Sequence, residues 1–106
     1  HAAAVLEGVV ALKERAARVD AENGLVAQEL GAITADQQRI RENLKSIGES
    51  HDEKRLRATF VEKLSAQEQR IEELTARHRA LAAERQQVQY EIDAAIAGLD
   101  FERNIA

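Results

Sequence analysis

Cysteine, proline, methionine and tryptophan are absent from these 106 residues, and the aromatics are Phe60, Tyr90 and Phe101. Without cysteine there is no disulfide framework and no thiolate zinc site, and cysteine usage is silent about redox compartment. Three aromatics are too few for an ordinary globular core of this length. No apolar run approaches the roughly 18 residues of a membrane span, because charges recur every few residues. The formal net charge of -4 argues against nucleic acid, whose phosphates need clustered Lys and Arg. The start, His1-Ala2-Ala3-Ala4, lacks an initiator Met and the basic n-region of a signal peptide. It reads as a trimmed chain with a tag remnant at His1.

What the chain has is helix-forming composition. Ala, Glu, Lys, Leu and Arg make up 56% of it, above the roughly 50% that marks coiled coils and long helices. One domain is the limit on length. Between residues 5 and 47, alternating steps of four and three select a stripe from Val5 and Val9 to Leu44 and Ile47. Eleven of its thirteen positions are apolar, the exceptions being Asn23 and Gln37. Between 57 and 99 a second stripe runs from Arg57 and Phe60 to Ala95 and Leu99. Nine of its thirteen positions are apolar, with Gln67, His78 and Arg85 among the exceptions. A 3.5-residue repeat held for six heptads keeps one narrow face toward a partner helix. No stretch shows the period-two alternation of a strand.

The strong punctuation is Gly48-Glu49-Ser50-His51-Asp52. Gly48 suits the left-handed conformation that closes a helix. Ser50 and Glu53 form a capping box, with Asp52 as an alternative cap. A short break between two equal stripes predicts an all-α fold, a long antiparallel two-helix coiled-coil hairpin. Its expected parts are a first arm over about 3–47, a turn over about 48–52, a second arm over about 53–99, and a short C-terminal tail. Gly24 and Gly31 lie off the stripe and weaken the first arm locally.

Two registers compete. Facing residues whose numbers total 104 set Gln37 opposite Gln67 and Leu12 opposite Ile92, so that two buried amides can bond each other. That register sets Asp36 by Arg70, Glu29 by Arg77, Arg15 by Glu91, and Glu22 by Glu84. A total of 97 improves the flank charges and the loop closure, but places Gln37 against Phe60. Exposed ion pairs contribute little, so the 104 register is preferred. Asn23, Gln37, Gln67, His78 and Arg85 then read as devices that weaken the seam but exclude wrong registers.

The stripe has unlike flanks. One, the g flank, is charged and includes Arg15, Glu29, Asp36, Lys63, Arg70 and Glu84. The other, the e flank, holds Leu6, Ala27, Thr34, Val61, Thr75, Ala82 and Ile96, diluted by Lys13, Asp20, Arg41, Glu68 and Gln89. A lone two-stranded coil buries each stripe residue only partly, while every ordered residue costs backbone entropy. A second burial surface is therefore expected, most simply by dimerising through the e flank into a four-helix bundle.

Catalytic and cofactor patterns are missing. His51, Asp52 and Glu53 are adjacent at a helix start and do not converge on one metal ion without a ligand from elsewhere. Capping and solvation explain them. His78 sits on the stripe as a register residue. There is no Glu-x-x-His pair, nucleophile–base pair, Gly-rich phosphate loop or HExxH. Arg39, Arg41, Lys45, Lys54, Arg55 and Arg57 make the turn end basic, and Glu42, Glu49, Asp52 and Glu53 neutralise it. No enzyme, cofactor or metal is expected.

The segments Asp36-Gln37-Gln38-Arg39-Ile40-Arg41-Glu42-Asn43-Leu44, Phe60-Val61-Glu62-Lys63-Leu64, Gln67-Glu68 and Ile71-Glu72-Glu73-Leu74 carry a resemblance. Over about residues 33–99 the chain resembles the C-terminal coiled-coil portion of a bacterial domain-of-unknown-function family, some members of which are called mucoidy-inhibitor-like. The family aromatic is often Tyr where Phe60 stands here. The resemblance implies a hairpin belonging to a larger bacterial protein with a β-rich part upstream, and it transfers no catalytic residue. The cytoplasm is the default compartment, and the periplasm stays open. The expected role is a non-catalytic interaction or oligomerisation module whose partner is a second copy or another part of the parent protein. The alternatives are a nucleic-acid-binding arm, like the hairpin of some tRNA synthetases, and a prefoldin-like chaperone arm. The second needs strands between the helices, and Gly48 to Asp52 is too short to supply them.

Overall fold

The computed structural model describes residues 1–105. Two helices hold nearly all of them: α1, Ala2–Lys45, and α2, His51–Ile105. There is no strand among the described residues. The chain is all-α, an antiparallel helical hairpin. α1 stays helical through Gly24 and Gly31, where an added Cβ would meet nothing within 4 Å. The tail expected after Leu99 is helical instead, to Ile105. No residue in Asp100-Phe101-Glu102-Arg103 breaks a helix, and Glu102 pairs with His1 at 2.9 Å.

The chain divides into two compact units, His1–Leu25 with His78–Ala106, and Val26–Arg77. In the first, Val9, Ala16 and Val19 of α1 are buried with Leu81, Val88 and Ile92 of α2. Ala16, Val88 and Ile92 form one cluster with Leu12 against it, the combination that the 104 register sets in adjacent layers. In the second, Val26, Gln37, Ile40 and Leu74 are buried. Within each unit, contacts move up one helix as they move down the other.

The turn lies in the second unit. α1 ends by tightening: Ser46 N bonds Asn43 O at 3.2 Å and Ile47 N bonds Leu44 O at 3.4 Å. Such short-range bonds satisfy carbonyls at a helix end. Gly48 does not take the left-handed conformation expected of it, since no glycine has a positive φ. Its role is close approach. Gly48 N donates to Glu53 Oε2 at 2.6 Å, and a Cβ here would stand 2.9 Å from that oxygen. Across the turn, Ser50 Oγ accepts from Glu53 N at 3.2 Å and Ser50 O from Lys54 N at 2.9 Å. Arg57 Nη2 donates to Ile47 O at 2.7 Å.

Candidate functional site

The features with functional content are the polar seam, the turn and the two flanks. Among the described residues no group of three His, Cys, Asp or Glu side chains is placed to hold a metal ion. His51 and Asp52 are exposed, and Asp52 makes no hydrogen bond among the described residues beyond those of the helix backbone.

In the unit of Val26–Arg77 the seam glutamines do not bond each other. Gln37, 4% exposed, donates to Glu68 Oε1 at 2.9 Å. Gln67 donates to Asp36 Oδ2 at 2.6 Å. Each amide reaches the carboxylate beside the other amide, because a charged acceptor makes a stronger bond than a neutral one. Gln67 Oε1 is left buried without a partner. Asp36 also accepts from Arg39 Nη2 at 2.7 Å and faces Lys63 Nζ at 3.2 Å. The bonds from Arg39 and Lys63, helped by Gln67, hold its carboxyl down at about 2. Arg70 clasps Glu29 with two nitrogens, at 2.8 and 2.9 Å, and touches Glu73 at 3.0 Å. The Arg70 bond holds the Glu29 carboxyl below its ordinary range. At the turn, the Ser50 hydroxyl first and then the Gly48 amide do the same for Glu53.

In the unit of His1–Leu25 with His78–Ala106, His78 Nδ1 lies 2.6 Å from Asn23 Oδ1, so these two polar stripe residues bond each other. Arg85 donates to Asp20 at 3.0 Å and to Gln89 at 2.9 Å, and Gln89 donates to Asp93 at 2.9 Å. Arg15 bridges Glu84 at 3.2 Å and Glu91 at 3.8 Å.

Of the expected flank ion pairs, Arg15 meets Glu91 at 3.8 Å, and two others change partner. Glu29 meets Arg70 rather than Arg77, and Asp36 meets Lys63 rather than Arg70. These partners sit one heptad away from those expected beside the 104 core pairs. Long flank side chains reach either neighbouring turn, as the two contacts of Arg15 illustrate. The bonds of Arg57 to Ile47 and of Arg85 to Asp20 escaped the sequence reading. For Arg85 the signal was there: a guanidinium on an apolar stripe needs an acid at its own level, and Asp20 is on the adjoining flank.

On α1, exposure separates the flanks. Along α1 from residue 5 onward, every residue that is not exposed lies on the stripe or on the g flank. The e positions Leu6, Lys13, Asp20, Ala27, Thr34 and Arg41 are all exposed. On α2, Val61, Ala82 and Ile96 of that flank are exposed and Thr75 is half-buried. Leu6, Val61 and Ile96 leave 54%, 52% and 40% of their surface open.

Comparison with protein-family models, with curated proteins and with solved structures finds no match for this chain. No helix is long and apolar enough to cross a membrane among the described residues.

Proposed function

We propose that this chain is a non-catalytic interaction module, a coiled-coil hairpin that homo-oligomerises through its e flank within a larger bacterial protein. The observation that carries the reading is the unequal cover of the two flanks. On α1, Arg15, Glu22, Glu29 and Asp36 of the charged flank are half-buried against the seam, whereas Leu6 stands open on the other side, and Val61 and Ile96 of the same open flank are exposed on α2. Removing apolar area from water is worth about 25 cal/mol per Å², and closed two-fold association is the commonest way for one chain to do so. The place within a larger bacterial protein rests on the resemblance of residues 33–99 alone. Sedimentation equilibrium at micromolar concentration tests the self-association. A dimer or higher assembly is expected, and a monomer throughout overturns it.

A further inference from the structure

Beside the seam, each helix carries a second ridge that nothing among the described residues covers. On α1 it is Leu6, Val10, Lys13, Ala17, Asp20 and Gly24, at alternating steps of four and three, all exposed. On α2 it is Arg79, Ala82, Gln86, Gln89, Asp93 and Ile96, also all exposed. Both ridges belong to the unit that joins His1–Leu25 to His78–Ala106. A shallow groove lined by Lys13, Ala17, Asp20, Arg85 and Gln89 runs between them, which sets Ala17 and the middle of the α2 ridge at one level.

Most of the ridge charges have no opposite charge beside them among the described residues, although Asp93 accepts a hydrogen bond from Gln89. Lys13, Arg79 and Asp93 make no ion pair among the described residues. Asp20 has one, with Arg85, and its two oxygens retain acceptor capacity.

We infer that the occupant of this face is a second copy of the chain, running antiparallel, with the two-fold axis beside Ala17 of α1 and Gln86 of α2. The inference rests on the self-association proposed above and names its geometry. Charge complementarity selects it. Lys13 and Asp20 stand almost equally far from Ala17 on either side. The axis therefore brings Lys13 of each copy to Asp20 of the other, twice. Arg79 and Asp93 stand equally far from Gln86, so the same axis brings these two together, also twice. Val10 of one copy meets Gly24 of the other, a large apolar side chain over a residue with open space above it. Ala17 meets itself, and its methyl lets the helices approach. Sliding the copies by one heptad sets Asp20 against Asp20 in one direction and Lys13 against Lys13 in the other. Placing both turns at the same end sets Lys13 between Gln89 and Asp93 but Asp20 beside Ala82 and Gln86 and Arg79 beside Gly24, so it answers fewer of the ridge charges than the antiparallel arrangement.

Charge reversal tests the geometry. Lys13→Glu removes no in-chain ion pair, and circular dichroism checks that it and Asp20→Lys keep the hairpin. Each variant alone is expected to dimerise roughly tenfold more weakly than the parent, since two attractive exposed pairs become repulsive. Mixing the two restores association as a heterodimer, and the double variant restores the homodimer. In a chain free of cysteine, Ala17→Cys oxidised with diamide closes a covalent dimer, while Ala11→Cys on another face does not. A parent that is monomeric overturns both the self-association and this geometry. A parent dimer that is indifferent to Lys13→Glu, or a mixture no tighter than its parts, overturns the geometry alone.

Discussion

Asp36 accepts a hydrogen bond from Gln67 across the seam at 2.6 Å while Arg39 and Lys63 hold the same carboxylate. Three donors favour the ionised form, which places the folded pKa at about 2, below the unfolded value of about 3.9. The sign follows from linkage. The bound carboxylate contributes stability that is complete above the unfolded value and is lost as pH falls through the folded one. Urea midpoints should therefore fall between roughly pH 4 and pH 2. Asp36→Asn should flatten that part of the profile, and an unchanged slope would show that Asp36 is not its source.

Gln37→Leu with Gln67→Leu should raise stability by about 1 kcal/mol. The pair removes a buried carbonyl oxygen that bonds nothing, Gln67 Oε1, and fills the seam with hydrocarbon. Chemical denaturation measures it, and a net loss above that size would mean that the bonds to Glu68 and Asp36 outweigh the unpaired atom.

Ser50→Ala should cost about 0.5–2 kcal/mol, because Ser50 Oγ accepts the Glu53 amide at the first turn of α2. Asp52→Ala should change thermal melts little. A larger loss at Asp52 than at Ser50 would reverse the assignment of the cap.

The two glycine types should respond with opposite sign. Gly31→Ala should stabilise by about 1 kcal/mol, since its Cβ enters open space on a regular helix. Gly48→Ala should destabilise by a similar amount, about 1 kcal/mol, by pushing the Glu53 carboxylate off the amide that it accepts. Paired thermal melts at the two positions decide it.

The two helices and their pairing were legible because a 3.5-residue repeat states helix, face and partner at once. Its stripe needed only one-letter chemistry, apolar or not. Details that depend on where a long side chain points were not legible. Nothing in the spacing of Gln37 and Gln67 says that each prefers the acid beside the other amide. Nor does composition separate a glycine that turns left-handed from one that yields space, and Gly48 is the second kind. The helix through residues 100–105 was hidden because the stripe stops at Leu99 while no residue forbids the helix from going on. The e flank was visible as a pattern, but its exposure needed coordinates.

The bond of Arg57 to Ile47 spans ten residues, whereas that of Arg15 to Glu84 spans 69. Closing a ten-residue loop takes about 10–100 ns, and the entropy of closure rises with the logarithm of loop length. Contacts beside the turn are thus the cheapest to make from a disordered chain, and each one shortens the loop left for the next. Pairing is therefore expected to start at Ile47 and Arg57 and extend along both arms, and a defect at the turn should slow folding more than an equal defect far from it.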